Sequence, residues 1–161
     1  AGIEVVEFVN AVVATFSAVP GDYLRVPQEN VLRGRPNSGP APDERSLFPG
    51  FVALVFAIAA FVPPRSRISI LYLILAIVAA DLSLGVNGVL FAALPGVFSP
   101  AESLRAPARF GALVLLSVAV LASIGAARFY RRWPHLAPLV SVALTLLCLA
   151  EYWSSPIAVR A

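Results

Sequence analysis

Two arginines in the segment LRAPARF have a residue type and a spacing suited to binding phosphate. Arg105 and Arg109 are four residues apart and lie just before a long apolar run. Each guanidinium group carries a planar fork of N–H donors that matches the oxygen atoms of a phosphate group. A helix would place both side chains on one face, whereas Pro107 favours a turn before the helix begins. We expect the pair to bind a lipid phosphate or a phosphorylated lipid carrier; the alternatives are headgroup anchoring and an ion pair with Glu102.

Asp81 is the second candidate, because it follows 13 largely apolar residues, ISILYLILAIVAA. A carboxylate in the middle of a membrane costs about 2.5–3.5 kcal/mol. Asp81 is therefore a candidate intramembrane polar site, with Arg105 or Arg109 as its partner. The segment GVNG at 85–88 indicates instead that the helix ends soon after Asp81. In that alternative, Asp81 lies near the interface and caps the helix end.

The other titratable residues predict no metal site and give no catalytic assignment. Asp22 and the adjacent pair Asp43 and Glu44 have the chemistry of a base or a metal ligand, but acids in loops are common. His135 and Cys148 are the single histidine and the single cysteine, and neither has a second ligand at metal-binding spacing. The chain also lacks GxGxxG, a P-loop, GxSxG and HExxH. We therefore predict no metal and no cofactor.

The composition predicts that lipid covers much of the surface. Of the 161 residues, 59% are hydrophobic and 13% are charged, whereas a soluble domain has about 25% charged residues. The apolar runs predict an all-α, polytopic integral membrane protein with about four transmembrane helices. The predicted spans cover residues 46–64, 67–84, 110–127 and 136–153. Residues 1–45 are predicted to form an extracytoplasmic loop region with a short amphipathic helix, and 89–98 a re-entrant or interfacial segment within the membrane region 46–155.

The third predicted span is bracketed by Arg109 and Arg128, with 18 uncharged residues between them. As a helix it would be roughly 27 Å long, close to the hydrocarbon thickness of a bilayer. Small residues four apart favour close packing of membrane helices. The span carries two such pairs, Ala119 with Ser123 and Ala122 with Ala126.

Basic residues in short loops predict the orientation of these spans. The loops 63–67 and 128–135 together carry five arginines and no acidic residue. Positive residues in short loops favour the cytoplasmic side. Both ends of the chain and the loop 85–109 are therefore predicted to be extracytoplasmic, in a bacterial inner membrane. The same placement explains the basic charge balance without a nucleic-acid partner.

Four phrases carry a resemblance to a known family: FSAVPGDYL, ERSLFPG, LSLGVNG and LRAPARFGALVLLSVAVLASIGAARF. Over most of residues 10–132 the chain resembles the later part of large bacterial multi-pass membrane proteins that are similar to GT-C-type glycosyltransferases. The resemblance implies a polyprenyl-phosphate-linked sugar as donor. It also implies an acidic catalytic residue in the first extracytoplasmic loop of such proteins, so no catalytic residue carries over to this later stretch. By analogy, Arg105 and Arg109 lie where a carrier phosphate would be held.

Three functions are consistent with these features. The first is part of a glycosyltransferase-like membrane protein acting in envelope polysaccharide or glycolipid assembly. The second is a transporter or flippase-like fragment, in which Asp81 and residues 85–98 line a pathway, and the third is a structural subunit without catalysis. The chain has no methionine and begins Ala-Gly-Ile-Glu, which predicts a piece of a larger protein. The expected partners are membrane lipid, a polyprenyl-phosphate-linked sugar and the rest of the same polypeptide.

Overall fold

The regular structure of this chain is helical. A computed structural model describes residues 11–27, 30–32, 45–63, 66–90 and 107–154, and within these ranges it contains no strand. The longer helices are α1 (Phe51–Ala59), α2 (Arg67–Ser83), α3 (Gly111–Arg132) and α4 (Ala137–Glu151). Short 3-10 turns cover Pro20–Leu24, Gly85–Asn87, Pro107–Phe110 and Pro134–Leu136. The predicted all-helical class is confirmed.

The helix α3 is the centre of the packing, with α1 and α2 against it. Its buried positions include five with the spacing of a heptad repeat, three and four residues apart. They are Gly111, Val114, Val118, Leu121 and Gly125. The small side chains Ala57, Ala60 and Ala79 meet this stripe from the neighbouring helices. Ala119 and Ser123, by contrast, are exposed, so the close packing uses a different face of α3 from the one that this pair predicted.

Gly125 is the point of closest approach between α1 and α3. A Cβ atom at this position would overlap the carbonyl oxygen of Phe56 and lie 3.2 Å from the backbone nitrogen of Ala60. The two backbones can therefore touch only because residue 125 has no side chain. Close contact through small residues is the usual way in which helices associate in lipid, where apolar burial alone gives no preference.

Several exposed surfaces of the helices are apolar. The buried residues of α2 are Ser69, Ala79 and Ser83, while its large side chains, among them Ile68, Leu71, Ile74 and Ile77, are exposed. This distribution is the reverse of that in a water-soluble helix and is typical of a helix that faces lipid. No residue of α4 is buried. Among the described residues, two helical stretches are long and apolar enough by length and composition to cross a membrane, Pro107–Arg132 and Pro134–Glu151.

The first predicted span is much shorter than expected. The run 46–64 contains a helix of only 9 residues, Phe51–Ala59, which is about 14 Å long and half the thickness of a bilayer. Gly50 has a φ of +89°, a left-handed conformation, so the helix does not extend past Gly50 toward the N-terminus. Pro49 therefore precedes the helix.

The other helices follow the predicted spans more closely. α2 ends within one residue of the predicted boundary, and Pro138 lies in the first turn of α4. α3 continues five residues past the predicted end at 127, and it ends before Pro134, which disfavours helical structure in the preceding residue. Only residues 89–90 of the predicted re-entrant or interfacial segment 89–98 are described, and both are helical. In the N-terminal region that was predicted to contain an amphipathic helix, residues 11–15 are helical.

The polar segments of the chain gather at one end of the helices, which we call the loop end: residues 17–25, 45–50, 83–88, 107–110 and 151–153. The Ala18 N–H donates to the Ser83 carbonyl at 3.0 Å, and the Ala108 N–H donates to the Phe16 carbonyl at 3.0 Å. The opposite, basic end consists of residues 62–63, 66–67 and 128–135. These two groups are the ones that the sequence placed on opposite sides; which side each faces stays a prediction.

Candidate functional site

The loop end is organised around the carboxylate of Asp22. This residue lies in the 3-10 turn Pro20–Leu24, which begins with a proline at its first position. Its side chain is 1% exposed. The Oδ2 atom accepts hydrogen bonds from the Val19 N–H at 2.9 Å and from the Arg45 Nε at 2.6 Å. A buried charge is tolerated when it is paired in this way.

The backbone of Asp22 joins the same two segments. Its carbonyl oxygen accepts the N–H groups of Arg25 and Leu47, each at 3.1 Å. Residues 20–25 and 45–48 are thus held together by both the main chain and the side chain of one residue. Because the carboxylate is buried and hydrogen-bonded, Asp22 is a structural residue and is not placed to act as a base. Asp43 and Glu44 lie outside the described residues.

Arg25 is the feature of this cluster that the sequence did not single out. Its Nη1 atom lies 3.6 Å from the Asp22 Oδ1 atom, yet this buried nitrogen has no hydrogen-bond partner among the described residues. A buried donor without an acceptor is costly. With Arg45 also paired to the same carboxylate, the cluster carries one net positive charge. The sequence signal for this contact is the i, i+3 spacing of Asp22 and Arg25.

Tyr23 connects this cluster to the end of α2. Its hydroxyl lies 2.6 Å from the Ser83 Oγ atom, and the Ser83 hydroxyl donates to the Ala80 carbonyl at 2.7 Å. Since the single serine proton is used there, the Tyr23 hydroxyl is the donor to Ser83. Burial raises the pKa of the Tyr23 hydroxyl, the hydrogen bond to Ser83 lowers it, and the Asp22 charge raises it further. Tyr23 therefore acts as a neutral hydrogen-bond donor.

Asp81 caps the next helical segment. Its Oδ1 atom accepts the Val89 N–H at 3.0 Å, and its Oδ2 atom accepts the Leu90 N–H at 2.7 Å. Carboxylates at the start of a helix stabilise its unpaired N–H groups. Gly88 permits the close return of the chain, because a Cβ there would overlap the Asp81 carbonyl oxygen. Both oxygens of the candidate polar site are thus engaged by backbone donors.

Arg109 lies exposed in the 3-10 turn Pro107–Phe110, immediately before α3. The turn that Pro107 predicted is present. Its neighbour Ala108 is fully buried and packs with Ala18 and Leu47. This packing fixes the backbone beside Arg109 at the loop end, next to the segments that Asp22 joins. Arg105, the other half of the predicted pair, lies outside the described residues.

Glu151 connects the C-terminal end of α4 to the start of α1. Its Oε1 atom accepts the Phe51 N–H at 2.6 Å. The neighbouring Tyr152 hydroxyl donates to the Pro49 carbonyl at 2.7 Å, and the Asn30 side-chain amide donates to the Glu151 carbonyl at 2.6 Å.

The described residues include no group of three His, Cys, Asp or Glu side chains placed to hold a metal ion. Among the described residues, the loop end offers an anion the exposed Arg109, while the nearby carboxylates of Asp22, Asp81 and Glu151 are all engaged in hydrogen bonds. No protein-family model, curated protein or solved structure matches the chain. The resemblance to GT-C-type glycosyltransferases therefore stays a prediction.

Proposed function

We propose that this chain is part of a bacterial multi-pass membrane protein that binds the phosphate of a lipid-linked sugar at its loop end, as a glycosyltransferase-like protein of envelope polysaccharide or glycolipid assembly. The observation that carries the proposal is the position of Arg109. Its exposed guanidinium lies where the apolar helix α3 meets the polar loop end. A lipid-linked phosphate has its charge at this same boundary.

The start of α3 adds to the attraction for an anion. A helix N-terminus carries unpaired N–H groups and the positive end of the helix dipole. No described side chain caps the N-terminus of α3. The turn Pro107–Phe110 runs directly into α3, so the positive end of the dipole of the helical stretch Pro107–Arg132 lies beside Arg109. Arg105 is proposed as the second guanidinium of the same site.

In this proposal the helices lie in the inner membrane with the loop end on the extracytoplasmic side. α2, α3 and α4 cross the bilayer, while α1 enters it only half-way from the loop end. The apolar side chains exposed on α2 and α4 support this arrangement, because water would solvate them poorly. The larger polypeptide would supply the acidic catalytic residue.

The transporter hypothesis has less support. It requires Asp81 to face a pathway for a solute or a lipid headgroup. Both carboxylate oxygens of Asp81 instead accept backbone N–H groups. The capping role explains why residue 81 is acidic, and a transport pathway is not needed to explain it.

Binding of a polyprenyl phosphate to the full chain in lipid nanodiscs tests the proposal. We expect Arg109→Gln to weaken binding by roughly tenfold, the effect of losing one hydrogen bond between charged groups. Arg109→Lys should retain part of the affinity, because it keeps the charge and loses the fork of donors. The matched control is Arg67→Gln, which removes an exposed arginine from the opposite end of the molecule.

Unchanged binding in Arg109→Gln, or an equal loss in Arg67→Gln, would contradict the proposed site. Competition with phosphatidylglycerol at the same concentration separates the carrier from ordinary membrane phosphate. If phosphatidylglycerol then displaces half of the carrier or more, the site is a headgroup anchor and the glycosyltransferase-like function loses its support.

A further inference from the structure

The basic end of the molecule contains a cavity that the proposed function does not use. Its volume is 780 Å³, and it lies between the end of α1 and the last turns of α3. Three arginines line it, Arg128, Arg131 and Arg132, together with aromatic and aliphatic side chains. The three arginines therefore border a concave space and do not form a flat surface patch.

No acidic residue in the described part of the chain lines this cavity. The three carboxylates that the structure describes, Asp22, Asp81 and Glu151, all make their hydrogen bonds at the loop end. Both ion pairs in the described ranges belong to Asp22. Neither Arg131 nor Arg132 is thus paired with a described carboxylate.

Arg128 is held in place by the segment that follows α1. Its Nη1 atom donates to the carbonyl of Val62, three residues past the end of that helix. The bond fixes the guanidinium at the wall of the cavity while its other N–H groups remain donors. A fixed fork of donors is suited to the oxygen atoms of a phosphate.

The rest of the wall is apolar and aromatic. Phe129 and Trp133 lie with their ring centroids 4.9 Å apart, and both line the cavity with Val62. Trp133 is 43% exposed, a position typical of the aromatic residues at a membrane interface. A ligand that fits this wall and the three arginines has both an anionic group and a hydrocarbon portion.

We propose that this cavity binds an anionic phospholipid, with the headgroup phosphate among Arg128, Arg131 and Arg132 and an acyl chain along Val62 and Trp133. Basic pockets between membrane helices commonly hold such headgroups. The apolar wall distinguishes this site from one for a soluble phosphate, which would leave the aromatic surface uncovered. The site is at the opposite end of the molecule from Arg109 and is independent of it.

The two tryptophans allow a test with an internal control, because Trp133 lines the cavity and Trp153 lies at the loop end. Brominated lipids quench a tryptophan that they touch. In the full chain carrying Trp153→Phe, we expect brominated phosphatidylglycerol to quench Trp133 at a lower mole fraction than brominated phosphatidylcholine does. In Trp133→Phe, the remaining Trp153 should show no such preference.

Substitution of the arginines should weaken the preference at Trp133. We expect a loss of roughly fivefold for each arginine removed in Arg131→Gln and in Arg132→Gln, corresponding to about 1 kcal/mol per basic residue near an anionic surface. The matched control is Arg67→Gln, an exposed arginine of the same end that does not line the cavity. The double variant Arg131→Lys and Arg132→Lys keeps the charge and should keep most of the preference.

Three results would overturn the proposal. The first is equal quenching of Trp133 by the two lipids. The second is a loss in Arg67→Gln as large as that in Arg131→Gln, which would indicate diffuse attraction to the surface. The third is release of the brominated lipid by excess glycerol 3-phosphate, which would identify a soluble phosphate as the occupant.

Discussion

The three carboxylates that the structure describes all accept hydrogen bonds from backbone N–H groups. Asp22 binds the Val19 N–H, Asp81 caps residues 89–90, and Glu151 caps the start of α1. Each joins two segments that are distant in sequence or lie across a turn. The described acidic residues are therefore structural, and the anion binding that we propose rests on the arginines.

Asp22→Asn should lower the stability of the loop end, because it leaves Arg25 and Arg45 without their carboxylate. Removing one partner of a buried ion pair costs about 3–5 kcal/mol. We expect a decrease of about 3 kcal/mol in the free energy of unfolding, since Arg45 keeps some solvent contact. The measurement is reversible unfolding of the full chain in detergent micelles.

The double variant Asp22→Asn with Arg45→Met is the control for this prediction. Removing the unpaired guanidinium should recover part of the lost stability, so the two changes should not add. Strict additivity, or a wild-type stability for Asp22→Asn alone, would show that the pair contributes little.

At the scale of the elements, the packing of α1 against α3 depends on one missing side chain. The heptad-spaced stripe of α3 ends at Gly125, where the carbonyl of Phe56 occupies the space of a Cβ atom. Ala119 and Ser123 have the spacing of a packing motif but face outward. The position of the contact is decided by which face α1 and α2 cover, and the sequence of α3 alone does not contain that information.

Gly125→Ala should separate α1 from α3 and destabilise the bundle by about 1–3 kcal/mol, the usual cost of overpacking a close contact. The matched control is Gly21→Ala, because no atom lies within 4 Å of a Cβ at that position. The free energy of unfolding of both variants is compared in the same micelles. Alanine favours a helix over glycine by about 1 kcal/mol, so a Gly125→Ala variant more stable than wild type would mean that α1 does not approach this closely.

The sequence predicted the long helices well because their apolar runs and proline stops are local signals. α2 and the turn before α3 lie where these signals put them. α1 is shorter, because the conformation of Gly50 and the cap from Glu151 depend on contacts that a local pattern does not show. The same reason applies to Asp22, whose partner Arg45 is 23 residues away.

For the whole molecule, the grouping of the loops at two ends leads to a prediction about which end faces which side of the membrane. The segments 17–25 and 83–88 share the loop end, whereas 128–135 lies at the basic end. In a Cys148→Ser background, which removes the one natural cysteine, single cysteines at Gly21→Cys and His135→Cys report the two ends. Both positions are exposed.

We expect a membrane-impermeant maleimide to label Gly21→Cys in intact bacterial spheroplasts and His135→Cys only after the membrane is opened. The physical reason is the preference of basic short loops for the cytoplasm. Labelling of both positions from the same side would contradict an arrangement with the two ends across a bilayer. Labelling only of His135→Cys in intact spheroplasts would reverse the orientation.

The bond between Glu151 and α1 links the first helix to a residue made much later. Its acceptor oxygen and the Phe51 N–H are separated by 100 residues. At a synthesis rate of about 5–20 residues per second, α1 leaves the ribosome on the order of 5–20 s before its cap exists. The start of α1 therefore stays without this cap until α4 has been made.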